Sequence, residues 1–266
     1  MKIIINADDF GYNHEVNLAI VEAFSKGWIT NTTIMANMPG YDEAVEIAKT
    51  NGFFDKVGLH LNFFEGLSLT EGMRNDSIFS TEEGMTSYKI LHELSPRYKF
   101  LLPKTTMHSL AIEADKQMER YVKSGFTEFH LDSHGHSHTQ LAVWRSIVKT
   151  IKKYEFRTVR LSLNLFTRPI PSIIKLYKKL FNRLVKSKFR TTLYFTSAAD
   201  FIDVAKNLYD AETGLIDLDK YGECVCEIMV HPVYDKSGRL VNMNAPDFEE
   251  IFRYIKKDDL ISFLDI

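Results

Sequence analysis

Cysteine, charge of one sign, long apolar runs and repeats are all scarce or missing from this 266-residue sequence, and each absence removes a class of protein. The only two cysteines, Cys224 and Cys226, are one residue apart. In a strand they would point to opposite faces, which is poor geometry for a bridge. That excludes a disulfide scaffold and leads us to expect two buried thiols in a reducing compartment. The formal net charge of −2 gives no general attraction for nucleic acid or for an anionic membrane, so a neutral or weakly charged ligand fits better. No apolar stretch approaches the length of about 20 residues that a membrane helix requires. Met1 leads within one residue into an apolar strand-like run, without a basic n-region or small-residue cleavage site, so a cytoplasmic location is expected. There are no internal repeats and no low-complexity tracts.

What is present is an ordinary globular composition, 45% hydrophobic and 26% charged, in a chain long enough to bury a large core without staples. Short β-branched runs alternate with amphipathic helical segments. Strands are expected at Lys2–Asn6, Thr32–Ala36, Lys56–Leu61, Glu128–Leu131, Thr158–Leu161, Thr192–Phe195 and Cys224–Val230, with a last short one near Leu260–Phe263. Helices are expected from after the first strand to about Lys26, then at Tyr41–Thr50, Ser109–Lys123, Thr139–Tyr154 and Pro246–Lys256. Strand-then-helix alternation this regular implies a parallel sheet with helices outside it. An open doubly wound sheet is the alternative; a single (β/α) barrel domain over residues 1–266, of seven or eight strands and distorted, is favoured. The reason is that the candidate polar residues fall at strand C-terminal ends, where barrel active sites sit. Asn62–Lys104 interrupts the rhythm and reads as a lid or substrate loop with one short helix. Arg168–Arg190 is strongly basic. A solvated outer helix is the reading preferred over a site for nucleic acid or an acidic ligand, because the rest of the chain offsets its charge.

Chemistry concentrates at four strand ends. Asn6-Ala7-Asp8-Asp9-Phe10-Gly11 closes the first strand with adjacent carboxylates, which cannot both be buried without a cation or a shared proton; a capped turn with two solvated aspartates is the alternative. Gly58-Leu59-His60-Leu61-Asn62 places His60 on the same side as Gly58 and Asn62. His130 to His138 holds four histidines in nine residues together with Asp132, and Gly135 is expected to break an otherwise extended run. Imidazoles beside a carboxylate are the donors a divalent metal takes. Glu227-Ile228-Met229-Val230-His231-Pro232 leaves His231 at the tip of an apolar strand that Pro232 stops.

The runs NADDFG (6–11), TNTTIMANMPG (30–40), GLHLNFFEG (58–66), HLDSHGHSH (130–138) and EIMVHP (227–232) occur in one order across nearly the whole chain, and together they resemble the YdjC-like carbohydrate deacetylases. The resemblance implies a (β/α) barrel related to the polysaccharide deacetylases. It also implies hydrolysis of the N-acetyl group of an amino sugar or short chitooligosaccharide by a metal-dependent enzyme. Its metal ligands carry over to Asp9, His60 and His134, its catalytic base to Asp8 and its second acid/base residue to His231. Magnesium (Mg2+) is the ion the resemblance suggests, whereas two imidazoles with one carboxylate suit zinc (Zn2+) better. Phe63-Phe64 in place of Leu-Thr, Gly135, Ser162 and Val233 depart from the family pattern, and they bear on substrate identity rather than on the ligands.

A mechanism follows as an expectation. The ion would lower the pKa of a water and stabilise the oxyanion, Asp8 would take the water's proton, and His231 would protonate the departing amine. Asp132 would orient one of the histidines and Arg160 would hold Asp8 ionised. Phe63, Phe64 and Tyr12 would stack on sugar faces or pack as ordinary loop residues. The alternatives are a metal-dependent phosphoesterase with further ions on His136 and His138, and a non-catalytic sugar-binding protein. The expected partner is a small carbohydrate, with no nucleic acid and no membrane; the sequence does not decide between a monomer and a homodimer.

Overall fold

A computed structural model of the chain describes residues 1–81, 83–87, 96–210, 215–216, 224–243 and 247–266. Seven strands form one parallel sheet: β1 (Lys2–Phe10), β2 (Asn31–Ile34), β3 (Val57–Leu61), β4 (His130–Ser133), β5 (Thr158–Val159), β6 (Tyr194–Ser197) and β7 (Val225–Val230). Their spatial order is β5-β4-β3-β2-β1-β7-β6. The sheet curls until its edges meet. Thr158 of β5 forms a parallel bridge with Arg190, just ahead of β6, and the Asn164 N–H donates to the Phe195 carbonyl at 3.1 Å. These contacts close the seam of the expected barrel, with seven strands and a distorted join.

Around the sheet run helices α1 (His14–Ser25), α2 (Tyr41–Thr50), α3 (Lys104–Lys123), α4 (Leu141–Lys153), α5 (Ser172–Lys186) and α6 (Ala198–Leu208). The Asn13 side chain accepts from the Val16 N–H and so starts α1. Strand alternation sorts the side chains. Ile3, Ile5 and Ala7 of β1, Val57, Leu59 and Leu61 of β3, and Cys226, Ile228 and Val230 of β7 join one apolar cluster with residues of the helices. The opposite parity carries Asn6, Asp8, His60, His130, Asp132 and Glu227, all buried, into the barrel. The interior is therefore a polar network held by hydrogen bonds and ion pairs among its members, such as Asp8 with Arg160 and His60 with Asp132.

The boundaries depart from the sequence reading in a few places. Helix α3 starts at Lys104 rather than Ser109, directly after Pro103. Helix α6 was not anticipated. The expected strand near Leu260–Phe263 is reduced to a single bridge from Ile3 to Leu260, because a capping box between Ser262 and Asp265 turns the chain into a helical turn at Phe263–Asp265. The late helix spans Phe248–Phe252, and Pro246, where it was expected to begin, lies outside the described residues.

Within the 62–104 loop, Glu65–Leu67 pairs antiparallel with Met85–Ser87, and the short helix is Glu71–Arg74. Residues 82 and 88–95 of this loop are outside the described set. Glu113 of α3 anchors the loop by accepting from the Leu69 and Thr70 N–H groups at 3.0 and 2.9 Å. Phe63 and Phe64 are buried, Phe64 against Phe79, so these two aromatics belong to the core and do not face a sugar.

Candidate active site

The site starts from an irregularity in β1. The ladder to β2 shifts register between Ala7 and Phe10, and Asp9 adopts a left-handed backbone with φ of 70°. A bulge of this kind lets consecutive side chains, which would otherwise alternate, both reach the mouth of the barrel. A non-glycine residue held with positive φ is strained, and such strain is retained where the surroundings impose it. Gly11 follows with φ of +84°, and a Cβ there would sit 3.3 Å from the Tyr41 Cα, so the exit from the strand has room only for glycine.

Asp8 is buried and faces Arg160, which donates to both its carboxylate oxygens at 2.7 Å. Arg160 is itself fully enclosed. Its other partners are Asp132 Oδ2 at 2.7 Å and Glu227 Oε1 at 2.6 Å. Burial by itself would raise the Asp8 carboxyl; the Arg160 guanidinium more than offsets this and holds it well below the usual carboxylate range. Glu227 goes the other way: burial dominates and lifts it to about 7 despite Arg160. Asn6 and Thr33 complete the network, Asn6 donating to Asp8 Oδ1 at 2.9 Å and Thr33 to Asp132 Oδ2 at 3.1 Å.

Toward the mouth, Asp9, His60 and His134 bring ligand atoms within 4.8 Å of one another. Asp9 Oδ1 lies 3.0 Å from His134 Nδ1 and 3.3 Å from His60 Nε2. Each histidine has a carboxylate on its other nitrogen. Asp132 Oδ1 is 2.7 Å from His60 Nδ1, and Glu65 Oε2 is 3.0 Å from His134 Nε2. Asp132, placed by sequence near His134, thus meets His60 across the β3–β4 ladder, where His60 and Asp132 are register partners. His60 Nε2 is buried without a hydrogen-bond partner, a costly state for a ring nitrogen unless something else occupies it. Two imidazole nitrogens and a carboxylate, each imidazole backed by a second carboxylate, form a donor set that fits a divalent ion. Burial opposes protonation of both histidines, but the carboxylates around them prevail. Asp132 and Asp8 raise His60 to about 10, and Asp9 and Glu65 raise His134 to about 9.

His231 lies at the end of β7 with Nε2 4.0 Å from both Asp8 Oδ2 and Asp9 Oδ2, and its backbone N–H donates to Asn242 Oδ1 at 2.8 Å. Asp8, Asp9, Glu65, His134 and His231 share the walls of a cavity of about 320 Å³ with Tyr12, Val16, Pro232, Val233 and Met243. Tyr12 donates to Glu65 Oε1 at 2.8 Å. All seven residues singled out from the sequence therefore meet in one network: Asp8, Asp9, His60, Asp132, His134, Arg160 and His231.

Of the other histidines in the run, His130 lies near Asp132 and Glu227, while His136 and His138 fall in no metal-capable grouping among the described residues. The strand ends at Ser133, and Gly135 and His136 take left-handed conformations that break the extended run. His138 is occupied by Ser133 Oγ and the Arg160 carbonyl. His136 packs edge-on to Phe195, and His130 stacks on Phe263. Among the described residues, none of the three groupings able to hold a metal includes His136 or His138. Sequence reasoning assigned no role to Glu65 or Glu227, although both stand in motifs it used. Glu227 shares strand parity with His231, which was the available signal; no local pattern pointed Glu65 at His134.

Fold and site together define a (β/α)-barrel protein whose carboxylate–histidine cluster opens at the C-terminal ends of the strands. The chain belongs to the YdjC-like protein family, whose model matches residues 2–265. It is 39% identical over 155 residues to the carbohydrate deacetylase of Vibrio cholerae serotype O1, a match spanning 58% of this chain and 56% of that relative's length. It is 27% identical over 281 residues to the carbohydrate deacetylase of Clostridium beijerinckii, covering all of both chains. A crystal structure from Enterococcus faecalis V583, provisionally described as a cellobiose-phosphate cleavage protein, superposes with a TM-score of 0.66 over 99% of this chain and 98% of that one; at 24% identity this speaks for the fold alone.

Proposed function

We propose that this chain is a metal-dependent carbohydrate deacetylase that hydrolyses the N-acetyl amide of an amino sugar or short oligosaccharide. One observation carries the reading. The donors Asp9, His60 and His134 converge beside a carboxylate, Asp8, that Arg160 keeps ionised, in a family whose relatives carry the name carbohydrate deacetylase. Asp9, His60 and His134 would hold one divalent ion. Their chemistry suits zinc, since magnesium prefers an all-oxygen shell. When bound, the ion supplies Lewis acidity toward a water and toward the amide carbonyl.

This chain's residues do the rest. Asp8 takes the proton of the attacking water, a task that requires the ionised form Arg160 enforces. His231, on the cavity wall near Asp8, delivers a proton to the amide nitrogen, which leaves poorly as an anion. Asp132 and Glu65 fix the ring orientations of His60 and His134. The cavity has space for about one sugar ring, and its apolar wall of Val16, Pro232, Val233 and Met243 suits a carbohydrate face. Two buried free thiols support a cytoplasmic location. The phosphoesterase alternative loses support because neither His136 nor His138, its further ligands, falls in a metal-capable grouping among the described residues. The reading is tested by two variants. His134→Ala abolishes metal binding, whereas Asp8→Asn keeps the metal and loses acetate release; an Asp8→Asn protein with unchanged deacetylation contradicts the role of that residue.

A further inference from the structure

Among the described residues, helix α5 has two unpartnered faces. Phe181, Asn182 and Val185 turn toward the barrel and are buried. Ile173, Leu176 and Leu180, spaced three and four apart and so on one stripe, are 71%, 51% and 53% exposed. The stripe continues off the helix: the ring of Tyr177 meets that of Phe100 at 5.7 Å, and Phe100 and its neighbour Leu101 are 48% and 68% exposed. Along the other side of the stripe runs a row of cations, Lys175, Lys179, Arg183 and Lys186, again three and four apart. These four line a cavity of about 370 Å³ with Leu163 and Phe166, and no ion pair with another described residue engages any of them. No Asp or Glu occurs anywhere between Glu155 and Asp200. The row repels itself along the helix and has no counter-charge in its own stretch of chain.

Such a face needs a partner that takes apolar side chains and anionic charge together. Nucleic acid would neutralise the lysines but has no use for an exposed isoleucine and leucine stripe. A second copy docked through the same face would set the two cationic rows against each other. An anionic bilayer surface answers both features: aliphatic side chains enter the acyl boundary while lysines meet lipid phosphates. No helix among the described residues is long and apolar enough to cross a membrane, so the contact would be peripheral. We infer that the α5 face, with Phe100 and Leu101, docks the protein on anionic membrane surfaces.

Co-sedimentation of the full chain with phosphatidylcholine vesicles, and with vesicles containing about a third phosphatidylglycerol, tests this. The protein should pellet with the anionic vesicles, stay in solution with the neutral ones, and dissociate as salt screens the lysines. The double variant Lys179→Glu/Arg183→Glu, on exposed positions, should weaken binding by roughly tenfold or more. Leu176→Asp/Leu180→Asp should do the same, and both should release acetate from a soluble substrate at the wild-type rate. Failure of the wild-type chain to pellet with anionic vesicles overturns the inference. So does equal binding by wild type and both variants, or a wild-type dimer that Leu176→Asp/Leu180→Asp converts to monomer without any vesicle binding by the parent.

Discussion

Arg160→Met is the most revealing single substitution, because Arg160 is the cation that Asp8, Asp132 and Glu227 share inside the barrel. Methionine matches much of the arginine stem but leaves these carboxylates facing one another, with His60 against Asp132. Removing one partner of a buried ion pair costs about 3–5 kcal/mol. That is a large part of the roughly 5–15 kcal/mol that holds a typical domain folded, and it corresponds to a fall in melting temperature of roughly 6–20 °C. The cost should depend on pH in a defined direction. In the wild type the depressed Asp8 carboxyl contributes stability above its unfolded pKa of about 4, and this is lost only as pH falls through the lower folded value. Without Arg160 the same carboxyl is raised, so the penalty grows with pH above about 4 and shrinks toward it. Urea unfolding of both proteins at pH 5 and pH 8 measures this, with the larger gap expected at pH 8. The acidic limb of acetate release should also move to higher pH, since Asp8 must now be ionised without help. Arg160→Lys should recover little, because a single ammonium cannot bridge three carboxylates. A loss below about 1 kcal/mol that does not change with pH would refute the claim that Arg160 holds Asp8 as a carboxylate.

Three further outcomes are expected. Asp132→Asn weakens metal affinity by about 10–100-fold, measured by equilibrium dialysis, because it removes the carboxylate behind His60; unchanged affinity contradicts that coupling. In metal-free protein, His60 and His134 have pKa values of about 10 and about 9, above their unfolded value of about 6.5. Their contribution to stability is therefore complete below about pH 6.5 and lost as pH rises through 9 to 10, so melting temperature should fall over that window. Metal uptake must displace these protons, so it should acidify a weak buffer and tighten with pH; a flat melting profile and no proton release argue against both. Phe63→Ala should cost about 3–5 kcal/mol of stability as a core cavity and leave KM for the sugar unchanged, whereas a raised KM with little loss of stability restores the stacking role.

Much of the site was legible because its chemistry falls at the ends of strands that hydrophobic patterning marks well. Strand parity put His60 inside the barrel, and Pro232 put His231 at its tip. Two kinds of information were not legible. The bulge that lets Asp8 and Asp9 reach the same mouth depends on a left-handed Asp9, which aspartate tolerates but does not announce. Partners distant in sequence were also hidden: Arg160 with Glu227 and Glu65 with His134 are fixed by barrel closure and loop anchoring, not by local pattern. The histidine run misled in one respect, since only His134 of its four members reaches the cluster formed with Asp9 and His60. The basic stretch 168–190, read as a solvated outer helix, is indeed an outer helix, but its apolar stripe could be seen only once the buried face had been assigned to Phe181 and Val185.

The most direct test of the central claim is a metal titration of chelator-stripped protein, following acetate released from N-acetylated mono- and disaccharides against ions bound per chain. The account predicts no release from the stripped protein, and activity that rises in step with binding and levels off at one ion per chain. Undiminished release after chelation would contradict it, as would activity that needs two or more ions, or no release from any N-acetylated sugar once the ion is restored.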